Sequence, residues 1–229
     1  MFIINYKNYE EISGNNAARL ASIADKIAKK YKVKIAIAPP HHLLSDIEDY
    51  SGPILSQHVD NAKIGSTTGF VIPELLKKSK ISGSLINHSE HRIPSKDIIE
   101  LVERLQRLKM ITVVCVKDVA EAAKYAKLNP TYIAIEPPEL IGSGKAVSTE
   151  KPELITKAVH AVLAAKNNTN LLCGAGIVSG QDVRKAMDLG SKGILVASGI
   201  VKAKNWNAII EEFAKAISLK HVQSDRKIR

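Results

Sequence analysis

Three chemically capable side chains stand where apolar, β-like runs of this sequence stop. Lys7 follows the run Phe2–Asn5, His88 follows Ser84–Asn87, and Glu136 closes Tyr132–Glu136. A carboxylate can act as a general base, while an imidazole and an ammonium can stabilise a developing oxyanion. Three further stretches supply small residues: Gly142-Ser143-Gly144, Cys173-Gly174-Ala175-Gly176 and Val196-Ala197-Ser198-Gly199. Small residues let backbone N–H groups approach an anion closely, so Gly142, Gly176 and the Ala197-Ser198 pair suggest a phosphate nest. Taken singly, each feature has a plainer explanation. Most lysines are surface residues, a lone histidine is more often structural than catalytic, and glycines serve tight turns. The conjunction carries weight only if one architecture brings all of them to one place.

The order of elements supplies such an architecture. Eight strand candidates run along the chain: Phe2–Asn5, Lys34–Ala38, Ile54–Gln57, Ser84–Asn87, Met110–Val116, Tyr132–Glu136, Asn170–Gly174 and Gly193–Val196. Amphipathic helical patterns lie between them. Leu20, Ile23, Ala24, Ile27, Ala28 and Tyr31 recur at three- and four-residue spacing, as do Ile98, Leu101, Val102, Leu105 and Leu108. Glu153–Lys166 follows Pro152, which suits a first helical turn. Strand then helix, eight times, implies parallel strands, because a crossover must return the chain to the same end of the sheet. Eight units fill 229 residues with little left over, which favours an α/β fold of the closed (β/α)8 type as a single domain over residues 1–229. Residues 218–229 read as a basic C-terminal tail. In such a barrel the loops after the strands' C-terminal ends build the site, and there the three side chains and the small-residue loops would meet.

Composition narrows the partners. The formal charge is +10, yet the lysines are scattered, and three Phe, six Tyr and one Trp offer few stacking platforms for nucleic acid. A positive field also draws in small anions. We therefore expect no nucleic-acid partner. No apolar run reaches the roughly 18 residues of a membrane span, and a buried strand starts at Phe2, so neither membrane insertion nor a leader is expected. Cys115 and Cys173 lack metal-ligand spacing and sit in apolar stretches, which points to a reducing, cytoplasmic setting. No metal or cofactor is expected.

The blocks Asn5/Lys7, His88-Ser89-Glu90/Arg92, Glu136-Pro137 and Gly142-Ser143-Gly144-Lys145 resemble, in order and in placement, those of the triosephosphate isomerase family. The likeness spans Asn5 to about Ser198 and implies the TIM barrel fold. The chain resembles the short, archaeal-type branch. Cys173-Gly174-Ala175-Gly176 stands where the larger branch has Tyr-Gly-Gly-Ser, Ala197-Ser198 replaces Gly-Gly, and Glu139 replaces a lid Trp. Without the Tyr and Ser hydroxyls, a closed lid must be latched by other contacts.

The resemblance implies interconversion of dihydroxyacetone phosphate and D-glyceraldehyde 3-phosphate through an enediolate, in glycolysis and gluconeogenesis. It casts Glu136 as base, His88 as a neutral electrophile kept so by the positive end of a following turn, and Lys7 as electrostatic support. Asn5, Tyr6, Lys7, Ile141, Gly142, Gly176, Ala197 and Ser198 are the implied substrate-binding residues. Ser89 and Glu90 would stand behind them, with Glu90 starting a helix. Pro137 to Lys145 would be the lid. Gly65-Ser66-Thr67-Thr68-Gly69 is similar to the family's protruding interface loop, which implies a homodimer or homotetramer. Two other readings stay open on sequence alone: another phosphate-binding barrel isomerase, for example one acting on a ribosyl phosphate, and a noncatalytic binding protein with a basic surface.

Overall fold

The structure, a computed structural model, describes residues 1–47, 49–140 and 146–226, with residues 220–226 described as backbone only. Eight parallel strands, β1 (Phe2–Asn5), β2 (Ile35–Ala38), β3 (Leu55–Ser56), β4 (Gly83–Ile86), β5 (Ile111–Val116), β6 (Tyr132–Ile135), β7 (Asn170–Cys173) and β8 (Ile194–Val196), form one sheet. Its order is β2-β1-β8-β7-β6-β5-β4-β3. The ring closes through a parallel bridge between Ile37 and Ile54, where the Ile37 N–H donates to the Pro53 carbonyl at 3.0 Å. This is a (β/α)8 TIM barrel.

The helices are α1 (Asn16–Tyr31), α2 (Pro73–Lys78), α3 (Ser95–Arg107), α4 (Val119–Ala126), α5 (Val147–Glu150), α6 (Pro152–Leu163), α7 (Gly180–Asp188), α8 (Ser198–Val201) and α9 (Trp206–Arg226). The expected alternation fails at one connection. After β2 the chain makes only two single-turn 3-10 helices, His41–Leu43 and Ser45–Ile47. Pro39 and Pro40 precede this stretch and Gly52-Pro53 follows it, so residues that disfavour helix bound it on both sides. Strand β3 is also shorter than its apolar run, because Ile54 makes the isolated closing bridge and Gln57 turns its amide to the loops.

Two layers of core follow from the two-residue period of the strands. Ile3, Ala36, Ala38, Leu55, Leu85, Val113, Cys115, Ala134, Leu172 and Leu195 face inward and fill the ring. Their neighbours, such as Phe2, Ile4, Ile35, Ile37, Val114 and Ile135, face outward against the helices. Burial of each Leu or Ile contributes about 1.5–3 kcal/mol. The inward rows do not stop at the strand ends. Ile3 leads to Asn5, Leu85 to Asn87, Ala134 to Glu136 and Leu172 to Gly174, each two residues on, so a polar layer caps the apolar one.

Candidate active site

Lys7, His88 and Glu136 line one cleft at the C-terminal mouth of the barrel, together with Asn5, the Gly174–Val178 loop and the Leu195–Gly199 segment. The cleft encloses about 480 Å³, part of it open to solvent. The side chains arrive there by different local devices.

Glu136 is the simplest case. It continues the inward row of β6, and its N–H still pairs with the Val116 carbonyl at 2.8 Å, so the backbone beneath it is rigid. The residue is 6% exposed, yet its Oε2 has no hydrogen-bond partner among the described residues. That oxygen lies 3.6 Å from His88 Nε2. A buried carboxylate oxygen without a partner is costly unless something else completes its surroundings. Beneath it the Cys115 thiol, fully buried, is pushed up by burial and by the Glu136 carboxylate, so it stays protonated. Gly174 stands alongside. A Cβ at that position would lie 2.5 Å from Glu136 Cγ, well inside contact distance, so a side chain there and the carboxylate cannot coexist in this geometry.

His88 reaches the cleft because the chain swerves at Asn87, which has φ +61°. Asn87 stabilises that left-handed conformation with both ends of its amide. Its Nδ2 donates to the Cys115 carbonyl at 3.0 Å, and its Oδ1 accepts the Ile93 N–H at 3.2 Å. Arg92 also donates to the Asn87 carbonyl at 3.2 Å, while its guanidinium grips Glu121 of α4 with both carboxylate oxygens at 2.7 Å. His88 is followed by a tight turn in which the His91 N–H donates to the His88 carbonyl at 2.8 Å. Glu90 therefore sits in a turn and does not open a helix. Helix α3 begins only at Ser95, because Pro94 disfavours helical backbone at the residue before it. The Glu90 N–H donates to His88 Nδ1 at 3.2 Å, which leaves Nε2 to carry the proton of the neutral ring. Burial opposes charging of this imidazole, and the Glu136 carboxylate favours it, with a net push upward from the ordinary histidine value. The Glu90 amide works the other way, since a proton on Nδ1 would break that bond.

Lys7 has φ +48°, unusual for a residue with a Cβ. Asn5 Oδ1 accepts the Lys7 N–H at 3.0 Å, and Gln57 Nε2 donates to the Lys7 carbonyl at 3.1 Å and to the Ala38 carbonyl at 3.0 Å. The ammonium pairs with Glu90 at 2.6 Å. Glu90 thus touches both Lys7 and His88, the ammonium through its side chain and the imidazole through its backbone N–H.

The small-residue loops meet below the mouth. Gly176 has φ +67°, and Ala197 and Ser198 lead into α8, whose Ser198 and Gly199 N–H groups precede its first bonds, from the Ile200 and Val201 N–H groups to the Ala197 carbonyl. Gly199 packs against the preceding loop so closely that a Cβ would stand 2.3 Å from the Ile177 carbonyl. The Val147 N–H, just beyond the expected lid, donates to the Ala175 carbonyl at 3.3 Å. At the other end of that segment, Glu139 pairs with Lys151.

Of the residues expected to touch substrate, the structure brings Asn5, Lys7, Gly176, Ala197 and Ser198 to the cleft. Ile141 and Gly142, with the rest of 141–145, lie outside the described residues. Tyr6 is a correction. It is fully buried among the helix-facing side chains, because the strand period sends it to the opposite face from Asn5 and Lys7. Ser89 is partly buried beside the site with a hydroxyl that finds no partner among the described residues. Sequence reading missed Gln57, Asn87 as a scaffold, and the spacing role of Gly174. Only the alternation that puts Asn87 and Gly174 in the inward rows signalled them.

Comparison with known proteins agrees with this geometry. The family model described as triosephosphate isomerase matches residues 1–213. A triosephosphate isomerase of Cenarchaeum symbiosum is 56% identical over 218 residues, covering 95% of this chain and 98% of that protein. Triosephosphate isomerases of Caldivirga maquilingensis, 44% identical over 95% of this chain and 97% of that one, and of Methanothermus fervidus, 42% identical over 93% and 96%, are similar throughout.

Proposed function

This chain belongs to the triosephosphate isomerase family, and from that membership we propose that Glu136, His88 and Lys7 carry its reaction. The enzyme interconverts dihydroxyacetone phosphate and D-glyceraldehyde 3-phosphate, a step of glycolysis. Moving a carbonyl to the adjacent carbon requires removal of a proton beside it, formation of an enediolate, and return of a proton to the neighbouring carbon. Glu136 takes the proton on Oε2 and returns it from the same oxygen, and positioned base catalysis of this kind contributes about 10²–10⁴-fold. The observation that carries the assignment is that oxygen: buried, without a hydrogen-bond partner among the described residues, and 3.6 Å from His88 Nε2.

His88, with its proton on Nε2, donates to the oxygen on which charge develops. Lys7 adds positive charge beside it once the phosphate draws the ammonium from Glu90. Backbone N–H groups of the Gly176 loop and of Ser198 and Gly199 hold the phosphate, as loops after the last two strands and a short extra helix do in barrels. The family resemblance makes Pro137 to Lys145 a lid that excludes water and so strengthens these interactions; 141–145 of it lie outside the described residues.

Self-association completes the reading. The segment from Gly65 to Gly69 is exposed, with Ile64 and Phe70 each 53% exposed at its ends, and in this reading it docks beside the site of a second copy. No described helix is long and apolar enough to cross a membrane, and two buried free thiols suit the reducing cytoplasm in which we place the enzyme. The deciding experiment compares turnover of wild type and Glu136→Gln, with circular dichroism to verify folding. A loss of at least two orders of magnitude is expected; equal turnover removes Glu136 from the mechanism.

A further inference from the structure

Beside the catalytic cleft lies a second, larger one, and its walls hold an unusual density of imidazoles. His41 and His42 come from the connection after β2, His58 from the one after β3, and His91 from the turn that carries His88. Among the described residues no three His, Cys, Asp or Glu side chains are arranged to hold a metal ion, so ligation does not explain the grouping. Two of the rings do something more specific. His58 and His91 stack with centroids 3.9 Å apart and planes 18° from parallel.

Both ends of that stack are anchored. His91 is tied to the catalytic turn through its N–H on the His88 carbonyl at 2.8 Å, and its neighbour Glu90 supplies the amide that holds His88 Nδ1. His58 Nε2 lies 3.2 Å from Asp60 Oδ1. Asp60 in turn closes the base of the exposed 61–70 loop, accepting the Val71 N–H at 2.7 Å and donating its own N–H to the Val71 carbonyl at 2.8 Å. On the far side, His41 Nε2 sits within 3.2 Å of the His58 carbonyl. The chain of contacts from the loop base to the electrophile is continuous, and the ring stack is its one link made by no hydrogen bond.

We propose that His91 is a positioning residue of the reaction: stacked on His58, it clamps the turn carrying His88 and Glu90 to the base of the protruding loop, and it does so only while at least one of the two rings is uncharged. The proposal rests on His88 acting as the electrophile. Imidazoles are the side chains that change charge between pH 5 and 8. One proton is tolerated, since Asp60 can accept a hydrogen bond from a charged His58. Two protons at 3.9 Å repel. Burial pushes His58 down from the ordinary histidine value, Asp60 pulls it up, and His91 and His41 push it further down. The net direction is downward, so the neutral ring is favoured in the fold. The second proton, on His58, is therefore kept out at neutral pH, and the stack is lost only as the pH falls through the lowered His58 value. Lys7, His41 and His42 share the cleft and disfavour the second proton, while Asp60 and Glu90 favour it.

The test compares wild type, His91→Phe, His91→Ala and His88→Gln between pH 5.5 and 8, reading kcat and KM separately. His91→Phe keeps a stacking ring that cannot charge. It is expected to match wild type within about twofold at pH 8 and to exceed it by threefold or more in kcat/KM at pH 5.5. His91→Ala removes the ring and is expected to lower kcat about fivefold or more at pH 8 with KM little changed, since the loosened group acts mainly in the transition state. A constant ratio of His91→Phe to wild type across the range overturns the proposal, as does His91→Ala with unaltered kcat. His88→Gln separates the two levels: full turnover in that variant overturns the catalytic reading itself, whereas an inactive His88→Gln beside unresponsive His91 variants overturns only the clamp.

Discussion

Replacement of Gly174 by alanine measures how tightly the base is held. The added Cβ would lie 2.5 Å from Glu136 Cγ and 3.1 Å from both Cδ and Oε1. Carbon atoms in ordinary contact stand about 3.5–4.0 Å apart, so the overlap with Cγ is on the order of 1 Å. The backbone cannot absorb it easily, because the Gly174 N–H is bonded to the Ile135 carbonyl at 3.0 Å and the Glu136 N–H to Val116 at 2.8 Å. The carboxylate must therefore swing away from its place beside His88. A displacement of about 1 Å at a reacting group costs roughly 10²-fold in rate, or about 2.7 kcal/mol in the barrier. Overpacking costs about 1–3 kcal/mol of stability besides, which a folded domain of this size can survive. A coupled spectrophotometric assay in the direction of glyceraldehyde 3-phosphate formation reads kcat and KM, with thermal melts alongside. We expect kcat to fall about 100-fold with a modest rise in KM. A folded Gly174→Ala enzyme with kcat within threefold of wild type would refute the steric argument.

Three other outcomes follow from the same coordinates. The Arg104–Glu74 pair is bidentate, with contacts of 2.7 and 2.5 Å, and holds Glu74 below the usual carboxylate range, mainly through the Arg104 hydrogen bond. A depressed carboxylate stabilises the fold above its ordinary value of 4.5 and loses that contribution as the pH falls through the folded one; Glu74→Gln should lose about 1 kcal/mol in urea melts at pH 7 and progressively less as the pH is lowered below 4.5. Ser179 and Asp182 form a reciprocal cap at the start of α7, so Ser179→Ala should cost about 1 kcal/mol with activity unchanged, and a wild-type melting curve would discount the cap. Shortening the exposed segment between Gly65 and Gly69 should yield a lighter species in sedimentation and lower turnover; an unchanged sedimentation coefficient would dissociate that loop from self-association.

Much of the barrel was legible because an apolar run is a local signal and parallel strands leave few topologies. The eight runs fell within about a residue of the strands, and Lys7, His88 and Glu136 were locatable because they end such runs. Spatial partners were not legible. Nothing around Gln57 in the sequence announces that its amide will support the Lys7 and Ala38 carbonyls, since those contacts span 50 and 19 residues. Tyr6, which the resemblance groups with Asn5 and Lys7, faces the helices, because the strand period turns alternate residues away from the site. Glu90 lies in a turn where the sequence pattern leads one to expect a helix start, because Pro94, four residues on, outweighs the local pattern.

The backbone contact between Gly199 and the Ile177 carbonyl has a practical consequence for redesign. The two small-residue loops are not independent modules, because neither can gain a side chain or an insertion at that crossing without pushing the other aside. Transplanting one of them from a relative to alter which sugar phosphate is accepted would displace its untouched companion, so the two must be exchanged together.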